Sequence, residues 1–168
     1  MKANVLRSGL LFIGLLSLAV TASIYLVPKR KAPAVDFTTI TGTTLTTASL
    51  KGRPVLISFW STTCSVCFLE MPHLTKLYQD YREKGLEIIA IALPFDMPSR
   101  VLAIVKANKL PYPVVLDPQG LLTLAFGRIN ATPTNFLVSP DGAIVIQKVG
   151  LLDFDKVRQM LDRMLQQK

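Results

Sequence analysis

Residues 55–60, VLISFW, turn within four residues into a helical pattern that opens on Cys64-Ser65-Val66-Cys67. A short, nearly continuous apolar run reads as a strand buried on both faces, the kind found where helices cover a sheet from either side. A strand that feeds straight into a helix also requires a crossover connection, and so points to a layered α/β architecture. The turn matters chemically as well. It sets the first sulfur at a helix N-terminus, where free backbone N–H groups and the positive end of the helix dipole favour a thiolate. Cys64 and Cys67 are the two cysteines of the chain. They are too few for a disulfide scaffold or a four-ligand zinc site, and their spacing suits a reversible dithiol.

The same alternation continues along the chain. Residues 37–47, rich in β-branched side chains around Gly42, predict a hairpin ahead of the core sheet. Beyond Cys64, Val66, Leu69, Leu74, Leu77 and Tyr81 form the apolar stripe of a helix that Gly85 stops. Residues 86–93 form a second buried strand, and Pro98 opens a helix running to about Lys109. Residues 112–116 make a third strand, residues 121–126 a short helix, and residues 134–138 and 143–149 a hairpin about Asp141-Gly142. A closing amphipathic helix begins at Asp153, with Phe154, Val157, Leu161, Met164 and Leu165 on its apolar side. Pro72 should kink the first helix.

Residues 8–27 form an uncharged stretch long enough to cross a bilayer, preceded by a short tail at 1–7 and followed by a charged, proline-containing linker at 28–36. The stretch reads as a transmembrane anchor, with a signal peptide cleaved after Ala22 as the rival. Basic residues on both flanks leave its orientation open to the positive-inside rule. The net charge of +8 owes much to this region, because five of the nineteen basic residues and no acidic residue lie in residues 1–31. Fourteen basic against eleven acidic residues remain for residues 32–168, which include the domain at 37–168. No basic cluster with interleaved aromatics occurs there, which argues against nucleic-acid binding.

In the redox constellation, Cys64 suits the attacking thiolate, and Cys67, about one turn further in, suits the resolving thiol. Glu70 follows on the same helix face. It reads either as a proton acceptor beneath the resolving thiol or as a solvated surface glutamate. Trp60 packs beside this loop, as core filling or as a partner contact. Pro133, by sequence alone, is a trans turn proline. His73 falls about 240° around the helix from Cys67, so a Cys2His copper site is a poor fit, and no metal ligand set is expected.

The motifs Phe59-Trp60-Ser61, Cys64-Ser65-Val66-Cys67, Glu70-Met71-Pro72, Leu116-Asp117-Pro118-Gln119-Gly120, Ala131-Thr132-Pro133-Thr134 and residues 136–142 occur in order. In them the chain resembles the membrane-anchored thioredoxin-like proteins of the TlpA/ResA type, thiol-disulfide oxidoreductases of bacterial envelopes. The resemblance spans about residues 35–168. It implies a thioredoxin fold, a central mixed β-sheet flanked by helices, with an inserted strand-helix segment around residues 94–116. It implies Cys64 as nucleophile, Cys67 as resolving thiol, Glu70 as the active-site glutamate, and Pro133 as a cis-proline facing the disulfide. Thr132 and Trp60 would share the partner-facing side, and Ser65 and Val66 would tune the potential. It further implies an extracytoplasmic domain on a single-pass cytoplasmic-membrane anchor. The redox-active disulfide would be the sole redox group, with no added cofactor. Expected partners are disulfide-containing envelope proteins, apocytochrome c or its handling proteins among them, and a membrane electron donor of thiol type. Thr63 stands where the family often carries a second tryptophan, and Ser65-Val66 matches neither the Gly-Pro nor the Pro-His pair of strongly reducing and strongly oxidising relatives. Two other functions compete. One is a thiol peroxidase, although Pro54 lies ten residues before Cys64 and the usual Pro-x-x-x-Thr-x-x-Cys context is missing. The other is copper binding or delivery through the dithiol.

Overall fold

The computed structural model describes residues 30–166. The expected anchor at 8–27 lies outside the described residues, as do 28 and 29 of the expected linker. Among the described residues no helix is long and apolar enough to cross a membrane. Residues from Lys31 onward form one compact unit. Lys31 and Ala32 are tied to it by a bridge from Lys31 to Ala143 and by the Ala32 N–H on the Gly142 carbonyl at 2.9 Å.

Strands β1 (Asp36–Thr38) and β2 (Thr44–Thr46) form the expected hairpin, with Phe37 opposite Leu45. A five-stranded mixed sheet follows. Its members are β3 (Val55–Trp60), β4 (Glu87–Ala92), β5 (Val114–Leu116), β6 (Thr134–Val138) and β7 (Ile144–Val149), ordered β5-β4-β3-β6-β7. The first three run parallel, while β6 is antiparallel to β3 and β7 to β6. The helices are α1 (Ser65–Tyr81), followed by a 3-10 turn at Arg82–Lys84, then α2 (Pro98–Asn108), α3 (Leu121–Ala125) and α4 (Phe154–Gln166). This is the thioredoxin-type arrangement that the resemblance implies, and α2 and β5 fall within residues 94–116, where an inserted segment is expected.

The apolar runs are continuous because both faces of the sheet are buried. Leu56 and Trp60 of β3 join a core with Leu74 and Leu77 of α1, Val101 of α2, and Val157 and Leu161 of α4. The alternate residues Val55, Ile57 and Phe59 join a second core with Phe37 of the hairpin, Leu122 of α3, Phe126 and Phe136. Two cross-ties fix α1 against α4 on the first face. Arg158 Nη1 donates to Asp80 Oδ2 at 2.8 Å, and the Tyr81 hydroxyl donates to Asp162 Oδ1 at 2.9 Å.

The stripe of α1 differs from the expected one. Its buried members are Cys67, Glu70, Met71, Leu74, Leu77 and Tyr81, whereas Val66 and Leu69 are 38% and 66% exposed. The 3.6-residue period allows both registers at the helix start, and the one containing a glutamate wins because Cys67 and Met71 sit on the core. Pro72 lies inside α1 without ending it. At Tyr81 α1 passes into the 3-10 turn, which stops where Gly85 takes φ 113°, a left-handed conformation that a side chain would oppose.

Candidate active site

The parallel strand β3 ends at Trp60 and delivers the chain through Ser61-Thr62-Thr63 to Cys64, which caps α1 with φ −95° and ψ 102°. Cys64 Sγ accepts the Cys67 backbone N–H at 3.1 Å, a donor of the first helical turn that the sulfur shares with the Cys64 carbonyl at 3.1 Å. Cys64 and Cys67 are joined in a disulfide with their Cα atoms 5.3 Å apart, within the usual range for such bridges. The two sulfurs differ in access, since Cys64 is half-buried and Cys67 is 2% exposed. Ser65 and Val66, between them, face solvent.

Glu70 is 1% exposed, which removes the reading of a solvated surface residue. Its carboxylate accepts Asn135 Nδ2 at 3.1 and 3.0 Å on its two oxygens, and Oε1 also accepts the Leu152 N–H at 3.0 Å. Burial pushes the Glu70 carboxyl above its ordinary value of 4.5, against the downward pull of the Leu152 N–H, the Asn135 amide and the nearby His73. Cys67 and Glu70 line one cavity of about 10 Å3 together with Ser58, Trp60 and Tyr112, room for about a single water. Burial drives the Tyr112 phenol far above its ordinary range; a Thr75 hydrogen bond opposes this and the Glu70 charge adds to it.

Trp60 corrects the expectation of a partner-facing ring. It is 3% exposed, belongs to the core around Leu56, and lines that inner cavity, where its Nε1 has no hydrogen-bond partner. As the last residue of a strand buried on both faces, it has no outward side to occupy. The Thr132–Pro133 bond is cis. Because Phe59 pairs with Thr134 across the sheet, Pro133 comes opposite Trp60, at the end of β3 that leads to Cys64. Pro133 is buried and its carbonyl accepts the Gly150 N–H at 2.8 Å, whereas Thr132 is half-exposed. His73 is exposed and stacks on Phe154 with ring centroids 5.1 Å apart.

Sequence reasoning missed two polar residues. Asn135 is 0% exposed and stands opposite Ser58 in the sheet. Its signal is a lone amide inside TNFLV, a strand otherwise fit for a double-sided core. Asp96, in the loop between β4 and α2, is 8% exposed and bonds to the Ser61-Thr62 turn.

Comparison with known proteins agrees with this geometry. A thiol-disulfide oxidoreductase ResA from Bacillus cereus is 33% identical over 140 residues, 82% of this chain and 76% of that protein. A candidate thioredoxin from Neisseria meningitidis has a solution structure that superposes with a TM-score of 0.75 at 34% identity, covering 83% of this chain and 92% of that one. A thiol:disulfide interchange protein of the thioredoxin family from Chlorobium tepidum shares the fold at 24% identity, with a TM-score of 0.75 over 83% of this chain and 98% of its own. Residues 28–147 match the model of the AhpC/TSA family. With its paired cysteines at a strand-to-helix turn and these relatives, the chain belongs to the AhpC/TSA family and is a thioredoxin-like thiol-disulfide oxidoreductase.

Proposed function

We propose that the protein works as a reductant of disulfides in envelope proteins, with Cys64 as nucleophile, Cys67 as resolving thiol and Glu70 as the proton acceptor for Cys67. The observation that carries this reading is the contrast between the half-buried Cys64 sulfur and the enclosed Cys67 sulfur that shares a cavity with a buried carboxyl. In the dithiol form, the Cys64 thiolate attacks one sulfur of a partner disulfide. The partner S–S bond breaks, and the departing partner thiolate takes a proton from solvent. Glu70 then takes the Cys67 proton, and the Cys67 thiolate attacks Cys64 Sγ. The mixed disulfide breaks, the second partner thiolate leaves and is protonated, and the Cys64–Cys67 disulfide closes. Two electrons have passed to the partner, and a dithiol donor must return them. The raised Glu70 pKa suits this shuttle, since a group titrating nearer neutrality both accepts and releases a proton readily.

In this reading residues 8–27 hold the domain outside the cytoplasmic membrane, where cystine-containing substrates, immature cytochrome c among them, and a thiol-type membrane donor are met. The uncharged run and the TlpA/ResA resemblance support that location. Thr132 and Pro133 border the partner, Ser65 and Val66 set the potential, and no cofactor beyond the dithiol is needed.

The test is exchange with a protein disulfide such as insulin. Cys64→Ser should abolish reduction, and Cys67→Ser should accumulate a mixed disulfide on Cys64. Full activity of Cys64→Ser, or an adduct on Cys67 in the Cys64→Ser chain, would refute the assignment. Hydrogen peroxide consumed faster than protein disulfide would favour the peroxidase reading that the AhpC/TSA match keeps in view.

A further inference from the structure

The three residues between Trp60 and Cys64 are all hydroxylic, and all enter one network anchored outside the dithiol loop. Asp96 Oδ1 accepts the Thr62 backbone N–H at 2.9 Å, the Thr62 hydroxyl at 2.5 Å and the Ser61 hydroxyl at 3.1 Å. With the Ser61 proton committed to Asp96, the 3.1 Å contact between Ser61 Oγ and Thr63 Oγ1 is donated by Thr63, and the Thr63 N–H also reaches Ser61 Oγ at 3.3 Å. The Ser61 carbonyl then accepts the Cys64 N–H at 3.1 Å. Asp96 is itself held in place. Its N–H donates to Leu93 O at 3.0 Å, and the Leu93 N–H donates to Trp60 O at 3.1 Å.

The other carboxylate oxygen, Asp96 Oδ2, is buried without a hydrogen-bond partner, a burial that stability alone does not favour. The residue comes from the loop between β4 and α2, and Thr63, which closes the network, stands where the resembled family often has a tryptophan. In this chain hydroxyls and a carboxylate hold the loop.

We infer that Asp96 is a positioning residue for the Cys64 thiol, fixing the Ser61-Thr62-Thr63 turn so that the sulfur stays at the N-terminus of α1 through both redox states. The inference rests on the exchange reading above. It predicts a loss of rate without a matching loss of fold, because a misplacement of the order of 1 Å at a reacting atom costs up to about a hundredfold.

The full-length dithiol form is assayed against a small aromatic disulfide, 5,5′-dithiobis(2-nitrobenzoate), with thermal midpoints recorded alongside. Asp96→Ala should react at least about tenfold more slowly, while Asp96→Asn, which keeps an oxygen at Oδ1, should return to within about threefold of the parent, a residue of about 0.65 kcal/mol or less in barrier. The combined Ser61→Ala, Thr62→Val variant removes the two hydroxyl donors, leaving the Thr62 N–H on Asp96, and should reproduce most of the loss, so the test survives an Asp96→Ala chain that fails to fold. Adding Asp96→Ala to that variant, where only the Thr62 N–H is left on Asp96, should slow it by less than it slows the parent. Parental rates in Asp96→Ala, an Asp96→Asn chain as slow as Asp96→Ala, or additive losses would each overturn the inference. An inactive parent would instead refute the exchange reading itself.

Discussion

At the scale of single residues, Glu70 carries the most consequence. It is charged chemistry sealed on the core stripe of α1, held by Asn135 and the Leu152 N–H. Glu70→Gln removes the proton acceptor, and the release of product from the mixed disulfide should slow about tenfold or more at neutral pH, as rapid-quench separation of the two half-reactions would show. Asn135→Ala removes a downward pull on the Glu70 pKa. The pH–rate profile of that step should therefore move upward.

The same carboxyl leaves a mark on stability. Its folded pKa lies above the unfolded value, so between the two the folded state binds more protons than the unfolded one, and stability falls as pH rises from about 4.5 through the folded pKa. Denaturant midpoints measured across that window should decline in the parent and decline less in Glu70→Gln. Equal slopes would remove the raised pKa from the account.

Much of this site can be read from the chain, because Cys64, Cys67 and Glu70 follow one another at helical spacing. Asn135 and Asp96 cannot be read in the same way. Asn135 meets Glu70 across 65 positions of sequence, and nothing local ties an amide in a strand to a glutamate in a helix. Trp60 leaves core filling and partner contact both open for the complementary reason, since an aromatic beside a reactive loop looks the same in sequence whether its ring faces the partner or the core, and the structure selects the core.

Among the elements, the strands were the most legible. The double-sided burial that makes VLISFW and TNFLV conspicuous also fixes their ends, and β3 and β6 fall where the runs fall. The face of α1 was harder, since Val66 and Leu69 made an apolar pattern as plausible as the true one, and only packing against the sheet chooses between them. Leu77 is 0% exposed on the chosen face, well away from the sulfurs along the helix. Leu77→Ala should therefore lower stability by about 2–5 kcal/mol in denaturant melts, while leaving the exchange rate of the folded protein unchanged. That behaviour is the converse of the one expected for Asp96→Ala. The two variants together separate the packing that holds α1 from the hydrogen bonds that aim its first turn.

At the scale of the whole molecule, the proposed reductant would be anchored outside the cytoplasmic membrane. Residues 8–27 should keep the full chain in the membrane fraction, released by detergent and not by salt. Release by salt alone would mean a peripheral attachment. Two local features act oppositely on the dithiol. The N-terminus of α1 stabilises the Cys64 thiolate and so the reduced form, whereas the buried carboxyl beside Cys67 disfavours a second negative charge. The exchange reading requires the balance to favour donation of electrons. The equilibrium of the Cys64–Cys67 pair against dithiol and glutathione buffers tests this most directly. A potential near about −270 mV, that of a thioredoxin-like reductant, is the predicted result, and one near about −120 mV, that of a strong oxidant, would contradict it.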